Sequence, residues 1–183
     1  LEGFRRVSGE TEFPESLRGS LRDGALEYYC NTDVSYALRG VHVTLNVLWD
    51  FEQPMSEGDR HYAYYRGTKS RIEVRQTKEQ NFKPELYVVP NDPARRGELK
   101  AALLKRVGEL EKAHAGIALR DAGADFRVEI PDAHRHGHEA HFTAVFERGL
   151  GYLRKPGSLP AWEKPNMLAK YTTTNRGVDL ARA

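Results

Sequence analysis

Cysteine is nearly missing from this chain: Cys30 stands alone among 183 residues. One thiol cannot close an internal disulfide, so cysteine usage fits a reducing compartment. Cys30 falls in an expected strand, where an inert core thiol is the common case. Long hydrophobic runs are missing too. No apolar stretch nears the ~20 residues that span a bilayer, and the longest ones alternate with polar residues. The opening LEGFRRVSGE has no apolar leader region and no Met, so a processed form or a piece of a longer protein is expected. Charge of one sign is scarce as well. Against 26 acidic residues stand 28 Lys and Arg, too even a balance for a dedicated nucleic-acid binder. The expectation is a cytoplasmic chain with neither a membrane nor a nucleic acid as partner.

Familiar catalytic signatures are also absent. There is no Walker-type loop, no G-x-S-x-G elbow and no Cys-x-x-Cys pair. Gly149-Leu150-Gly151 begins like a dinucleotide fingerprint, but Arg154 stands where the third glycine belongs. The run also lies inside an amphipathic pattern rather than after a strand, which excludes that reading.

What is present is strand alternation followed by helical periodicity. From His61 to Val89 three strands are expected, joined by short polar turns. Ile72 and Val74 alternate with Arg71, Glu73 and Arg75, the pattern of a strand with one packed face and one wet face. Arg66 to Lys69 reads as a tight hairpin connection. Upstream, a strand block begins at Leu26 to Asn31. The apolar phase then flips at Gly40, which requires a bulge or a turn, before a long strand from Val41 to Phe51. Gln53 to Asp59 reads as a loop, and residues 1 to 24 as turns with a short helix. Asp92 is an expected N-cap, with Leu99, Leu103, Val107 and Leu110 at helical spacing after it. Two strands, Ile117 to Leu119 and Phe126 to Ile130, follow across a turn at Asp121 to Ala124. A second helix (His138 to Lys155) turns Phe142, Val145, Phe146, Leu150 and Leu153 to one face, and a third (Pro165 to Leu180) turns Met167, Leu168, Tyr171 and Val178 inward. This order favours an α+β fold with an open, mainly antiparallel β-sheet and helices packed on one face.

Two places invite a functional reading. His134, His136, His138 and His141 crowd into HRHGHEAH, a density that can bind zinc. The spacing is not H-E-x-x-H, and Gly137 leaves the first two histidines in a loop and the last two on a first helical turn. The plainer reading is a polar loop entering a helix, with Glu139 and His138 near its positive end. Such an end can equally meet an anionic or hydroxylated substrate. The second place is the polar turn with Glu79, Gln80, Asn81 and Lys83, able to hydrogen-bond a polyol, although such connections are commonly just solvated. The aromatics Tyr28, Tyr29, Tyr62, Tyr64, Tyr65 and Trp49 are expected to pack, in the core or at a sheet interface.

Three long blocks carry a resemblance. RGTKSRIEVRQTKEQNFKPELYVV, GHEAHFTAVFERGLGYL and LPAWEKPNMLAKYTTT, with GVHVTLNVLWDFE upstream, together resemble the C-terminal domain of oxidoreductases of the Gfo/Idh/MocA superfamily, from about Leu26 onward. The resemblance implies a two-domain parent. An N-terminal Rossmann domain, outside this chain, would bind NAD or NADP, while residues 1–183 form a single C-terminal domain. That domain would help line the pocket for a sugar, cyclitol or related polyol and would form a homo-oligomer through its open sheet face. Two family features do not transfer. The E-K-P motif that carries the catalytic lysine normally follows the Rossmann region, so Glu163-Lys164-Pro165 near the C-terminus is coincidence. No D-x-x-x-H pair stands in a suitable position either. The expected substrate contacts are His138, His141, Gln80 and Asn81, with no catalytic, cofactor or metal residue in this chain and no catalysis by it alone. The alternatives are a stand-alone binding or dimerisation module and a His-rich zinc-dependent hydrolase.

Overall fold

Glycine and proline cut the N-terminal region into short pieces. A computed structural model describes residues 1–27, 31–49 and 57–182. Helix α1 (Glu2–Ser8) ends at Gly9, whose φ of 78° is the left-handed cap that glycine permits. A 3-10 turn (Glu15–Ser20) leads to a small hairpin of β1 (Leu21–Arg22) and β2 (Ala25–Leu26). The next hairpin joins β3 (Thr32–Leu38) to β4 (Val41–Val47), in register from Thr32↔Val47 to Leu38↔Val41. The phase flip at Gly40 is therefore a turn, with Arg39 and Gly40 both at positive φ. Strand β4 stops at Val47, short of the expected end. Tyr28, Tyr29 and Cys30, the strand end at Phe51 and the loop residues Gln53 to Ser56 lie outside the described residues.

The chain divides into two units, Leu1–Gln53 with Leu159–Ala183, and Pro54–Ser158. The second holds the main sheet: β5 (His61–Arg66), β6 (Ser70–Gln76), β7 (Glu85–Pro90), β8 (Ala118–Ala122) and β9 (Asp125–Glu129). The strands lie in the order β5-β6-β7-β9-β8, every neighbouring pair antiparallel. The fold is thus α+β with an open five-stranded antiparallel sheet. The His61–Val89 stretch supplies three of the five strands, with β7 central and β5 at an edge. At the β5–β6 turn, a Cβ on Gly67 would sit 2.8 Å from the Ser70 carbonyl oxygen, so only glycine closes it without a shift.

Register sorts the side chains onto two faces. One carries Leu119, Val128, Leu86, Val74 and Ala63 in one row, and Asp121, Phe126, Val88, Ile72 and Tyr65 in the next. Over its β8–β9 side this face meets α2 (Arg96–Glu111), where the Arg96 guanidinium lies 4.1 Å from the Phe126 ring centroid and pairs with Asp121. Phe126 is wholly buried, and Val107 of α2 is 7% exposed. Asp92 caps the 3-10 turn that starts this helix by accepting from the Ala94 N–H at 2.9 Å, as its position before Pro93 implies.

Helix α3 (His138–Arg154) has the expected bounds within a residue, but of its apolar stripe only Leu150 is half-buried. Phe142, Val145, Phe146 and Leu153 are each between 64% and 77% exposed. Helix α4 (Glu163–Arg182), in the first unit, is corrected in the same way. Met167, Leu168, Tyr171 and Val178 are exposed, whereas Ala169, Thr173 and Gly177 are half-buried. A Cβ on Gly177 would reach 3.8 Å from Val34 of β3, so the small side of α4 faces the hairpin. Glu163-Lys164-Pro165 forms the first turn of α4, where proline costs no hydrogen bond. Among the described residues no helix is long and apolar enough to cross a membrane.

Candidate functional site

The second face of the five-stranded sheet is built of charge and aromatic rings. Its central row runs Tyr64, Glu73, Tyr87, Arg127, Arg120, and its flanking rows carry Tyr62, Arg75 and Glu85 on one side and Arg66, Arg71, Val89 and Asp125 on the other. The alternation in SRIEVRQ marks this as a wet face, yet Glu73 is only 2% exposed. A buried carboxylate is tolerable only when its lone pairs are occupied. Arg71 donates to one Glu73 oxygen, and Arg75 donates to the other at 2.7 Å. The Arg75 guanidinium also reaches Asp125 at 2.7 Å and lies 4.2 Å from the Tyr87 ring centroid. Burial alone would raise the Glu73 pKa, but the two arginine hydrogen bonds and charges outweigh it and hold it below the usual carboxylate value. Burial first, then the Glu73 charge, pushes the Tyr62 phenol up. Glu85, also buried, is paired with Arg127 and Arg135, each at 3.0 Å.

Each unit carries a hollow. One, of about 470 Å³, lies on the charged face beside the β5–β6 turn and is lined by Tyr62, Tyr64, Arg66, Gly67, Arg71 and Asn91. The other, of about 1020 Å³, lies in the first unit between the β3–β4 hairpin and α4, with Asp33, Ser35, Tyr36, Lys170 and Thr174 on its wall.

The four expected contact residues lie on two elements, the turn after β6 and the start of α3. Gln80 is absorbed by a local capping box, accepting at its Oε1 from the Thr77 hydroxyl at 2.7 Å and the Thr77 N–H at 3.2 Å. Its amide nitrogen donates to the Tyr87 hydroxyl at 3.5 Å, which ties the turn to the charged face. Asn81 takes the left-handed cap at φ 52° with an exposed side chain. His138 is the first residue of α3 and packs its ring 4.7 Å from Phe142; His141 faces His136 at 6.2 Å. His134 turns elsewhere, to the Ala115 carbonyl at 2.9 Å and the edge of His114. Among the described residues no three His, Cys, Asp or Glu side chains gather as a metal-ligand group.

Residues 1–182 match the protein family described as "Putative oxidoreductase C terminal domain". The chain belongs to that family. A crystal structure of a putative oxidoreductase from Parabacteroides merdae ATCC 43184 is similar, with 38% sequence identity and a TM-score of 0.88. The likeness covers 99% of this chain and 41% of that one, so the chain spans about two fifths of that protein's length. No curated protein matches the chain. In this oxidoreductase C-terminal domain, the residues that sequence reasoning missed are those of the Arg71–Glu73–Arg75–Asp125 network. Their signal was the alternating charge of β6, which says that a face is polar but not that its charges interlock with β9.

Proposed function

We propose that this domain is the substrate-side and assembly half of an NAD(P)-dependent oxidoreductase acting on a sugar, cyclitol or related polyol. The single observation that carries the reading is the match to an oxidoreductase C-terminal domain across residues 1–182. In the parent, an N-terminal Rossmann domain holds NAD or NADP, and the nicotinamide takes or gives the hydride. This chain does not fit the dinucleotide itself: Gly149 and Gly151 lie in the body of α3, not between a strand and a helix start. The chain's own contribution is polar groups toward a hydroxylated substrate, with His138 and His141 at the start of α3 and Gln80 and Asn81 beside the charged face. The parent assembles as a homo-oligomer through the open sheet face, which presents the exposed rings of Tyr62 and Tyr64.

The test uses the full-length parent and this chain side by side. Reduction of NAD or NADP with a panel of polyols is expected for the parent and not for the chain. His138→Ala and His141→Ala in the parent are expected to raise KM more than they lower kcat. Tight NADH binding by the chain alone, or a parent inert towards every polyol with both cofactors, would sink the reading.

A further inference from the structure

The β5–β6 hairpin carries a charge conflict that the described residues leave unresolved. Arg66 and Arg71 are register partners, so two guanidinium stems rise side by side on one face. Like charges placed opposite each other weaken a hairpin. Arg71 relieves its half by pairing with Glu73. Arg66 does not: its partners are the Tyr64 hydroxyl at 3.4 Å and the Tyr64 ring at 5.1 Å, and among the described residues no carboxylate pairs with it. Glu73 is moreover shared with Arg75, whose other partner is Asp125. Arg71 and Arg75 thus take up Glu73 and Asp125, and among the described residues Arg66 is left without a carboxylate.

Arg66 lies at the hollow of about 470 Å³, within the ~300–1,000 Å³ typical of small-molecule sites. Its rim is preorganised. The Asn91 side-chain amide donates to the Gly67 carbonyl at 2.9 Å, and its backbone N–H donates to the Lys69 carbonyl at 3.0 Å, fixing the hairpin turn against the end of β7. Arg66 and Arg71 both line the hollow, and a guanidinium's planar fork of donors matches the forked acceptors of a carboxylate or phosphate. Tyr62 and Tyr64 supply flat apolar walls that end in hydroxyls, suited to a hydroxylated carbon chain.

We propose that this hollow binds a small hydroxylated oxyanion, its carboxylate or phosphate group held between Arg66 and Arg71 and its body lying against Tyr62 and Tyr64. The site does not depend on the polyol oxidation proposed above; it lies at the β5 edge of the face proposed for assembly, and the test uses this chain, in which Tyr62 and Tyr64 are exposed.

Calorimetric titration of the chain with tartrate, inorganic phosphate and neutral erythritol tests this. At least one anion is expected to saturate with a Kd of about 1 mM or tighter, and erythritol not at all. A tighter fit for tartrate assigns the carboxylate, and a tighter fit for phosphate assigns the phosphate. Arg66→Gln should weaken the anion by about tenfold or more, and Arg66→Lys by less, since it keeps the charge and loses the fork. Arg106→Gln removes a surface arginine of α2 paired with Glu109 and should change nothing. Amide shifts on adding the anion, a readout that needs no variant, should be confined to β5, β6 and the Asn91 turn. No saturation by either anion up to about 20 mM, an unaffected Arg66→Gln variant, equal weakening by Arg106→Gln, or shifts elsewhere would each overturn the site.

Discussion

Helices α2 and α3 belong to the same unit and both read as amphipathic, yet they have opposite fates. The stripe of α2 (Leu99, Leu103, Val107, Leu110) is half-buried to buried, and Arg96 in its first turn lies on Phe126 in the sheet. The stripe of α3 has larger side chains, and Phe146 is 68% and Leu153 77% exposed. Larger apolar area means a larger gain on burial, roughly 25 cal/mol per Å², so bare size does not decide which helix is covered. What decides it is the presence of a complementary sheet face. The two helices teach that amphipathicity states a need for a partner and says nothing about where that partner is.

This contrast can be broken at several points. The largest effect is expected at Phe126→Ala, which empties the site beneath Arg96 and should cost about 3–5 kcal/mol in chemical denaturation; a loss below about 1 kcal/mol would mean that α2 and the sheet do not form the core. Next is Glu73→Gln on the opposite sheet face. It leaves Arg71 and Arg75 facing a neutral amide, and because both arginines are partly exposed the cost is discounted to about 2 kcal/mol. The sign of its pH dependence follows from the lowered carboxylate pKa. Folding favours the ionised form, so this stability is fully present above the unfolded glutamate value of about 4.3 and is lost as pH falls through the lower folded value. Melting curves recorded from pH 6 down to pH 3 should show a shallower acid limb in Glu73→Gln than in the unsubstituted chain; parallel limbs would contradict the network.

Smaller effects sharpen the two ends of the comparison. Asp92→Ala removes the cap that launches α2 and should cost about 1 kcal/mol, read by the same denaturation. Phe146→Ser, on the exposed stripe of α3, should change the stability of this chain by less than about 0.5 kcal/mol. The same substitution in the full-length parent is the informative contrast. An equally small change there would mean that the stripe meets no other part of that protein, whereas a loss of about 2 kcal/mol or more would give α3 its covering surface.

Much of the sheet was legible in the residues. Ile72 and Val74 against Arg71, Glu73 and Arg75 announce a strand and separate its two faces, but not which face is wet: Ile72 is exposed and Glu73 buried. Gly40 announces a bulge or a turn, because glycine permits either where the phase flips; the structure makes it a turn. The site was less legible. Gln80 looked free to meet a ligand, but Thr77 three residues earlier is a capping partner, and local hydrogen bonds claim its amide first. His138 and His141 are one helical turn apart, as their spacing requires, yet each faces a different ring, Phe142 or His136. Spacing along a helix places two side chains on one side; it does not make them share a ligand.

By itself, then, the sequence determined the strands of the main sheet, the long helices and their polar and apolar sides, because each of these is a local periodicity of backbone geometry. It also carried the likeness to an oxidoreductase C-terminal domain, through long blocks of residues rather than any one motif. Only the tertiary structure decided that β9 inserts beside β7, bringing Asp125 to Arg75 from 50 residues away, and that Arg66 faces Arg71 without a carboxylate of its own. Those are contacts between distant strands, and no local pattern encodes which strand will become a neighbour.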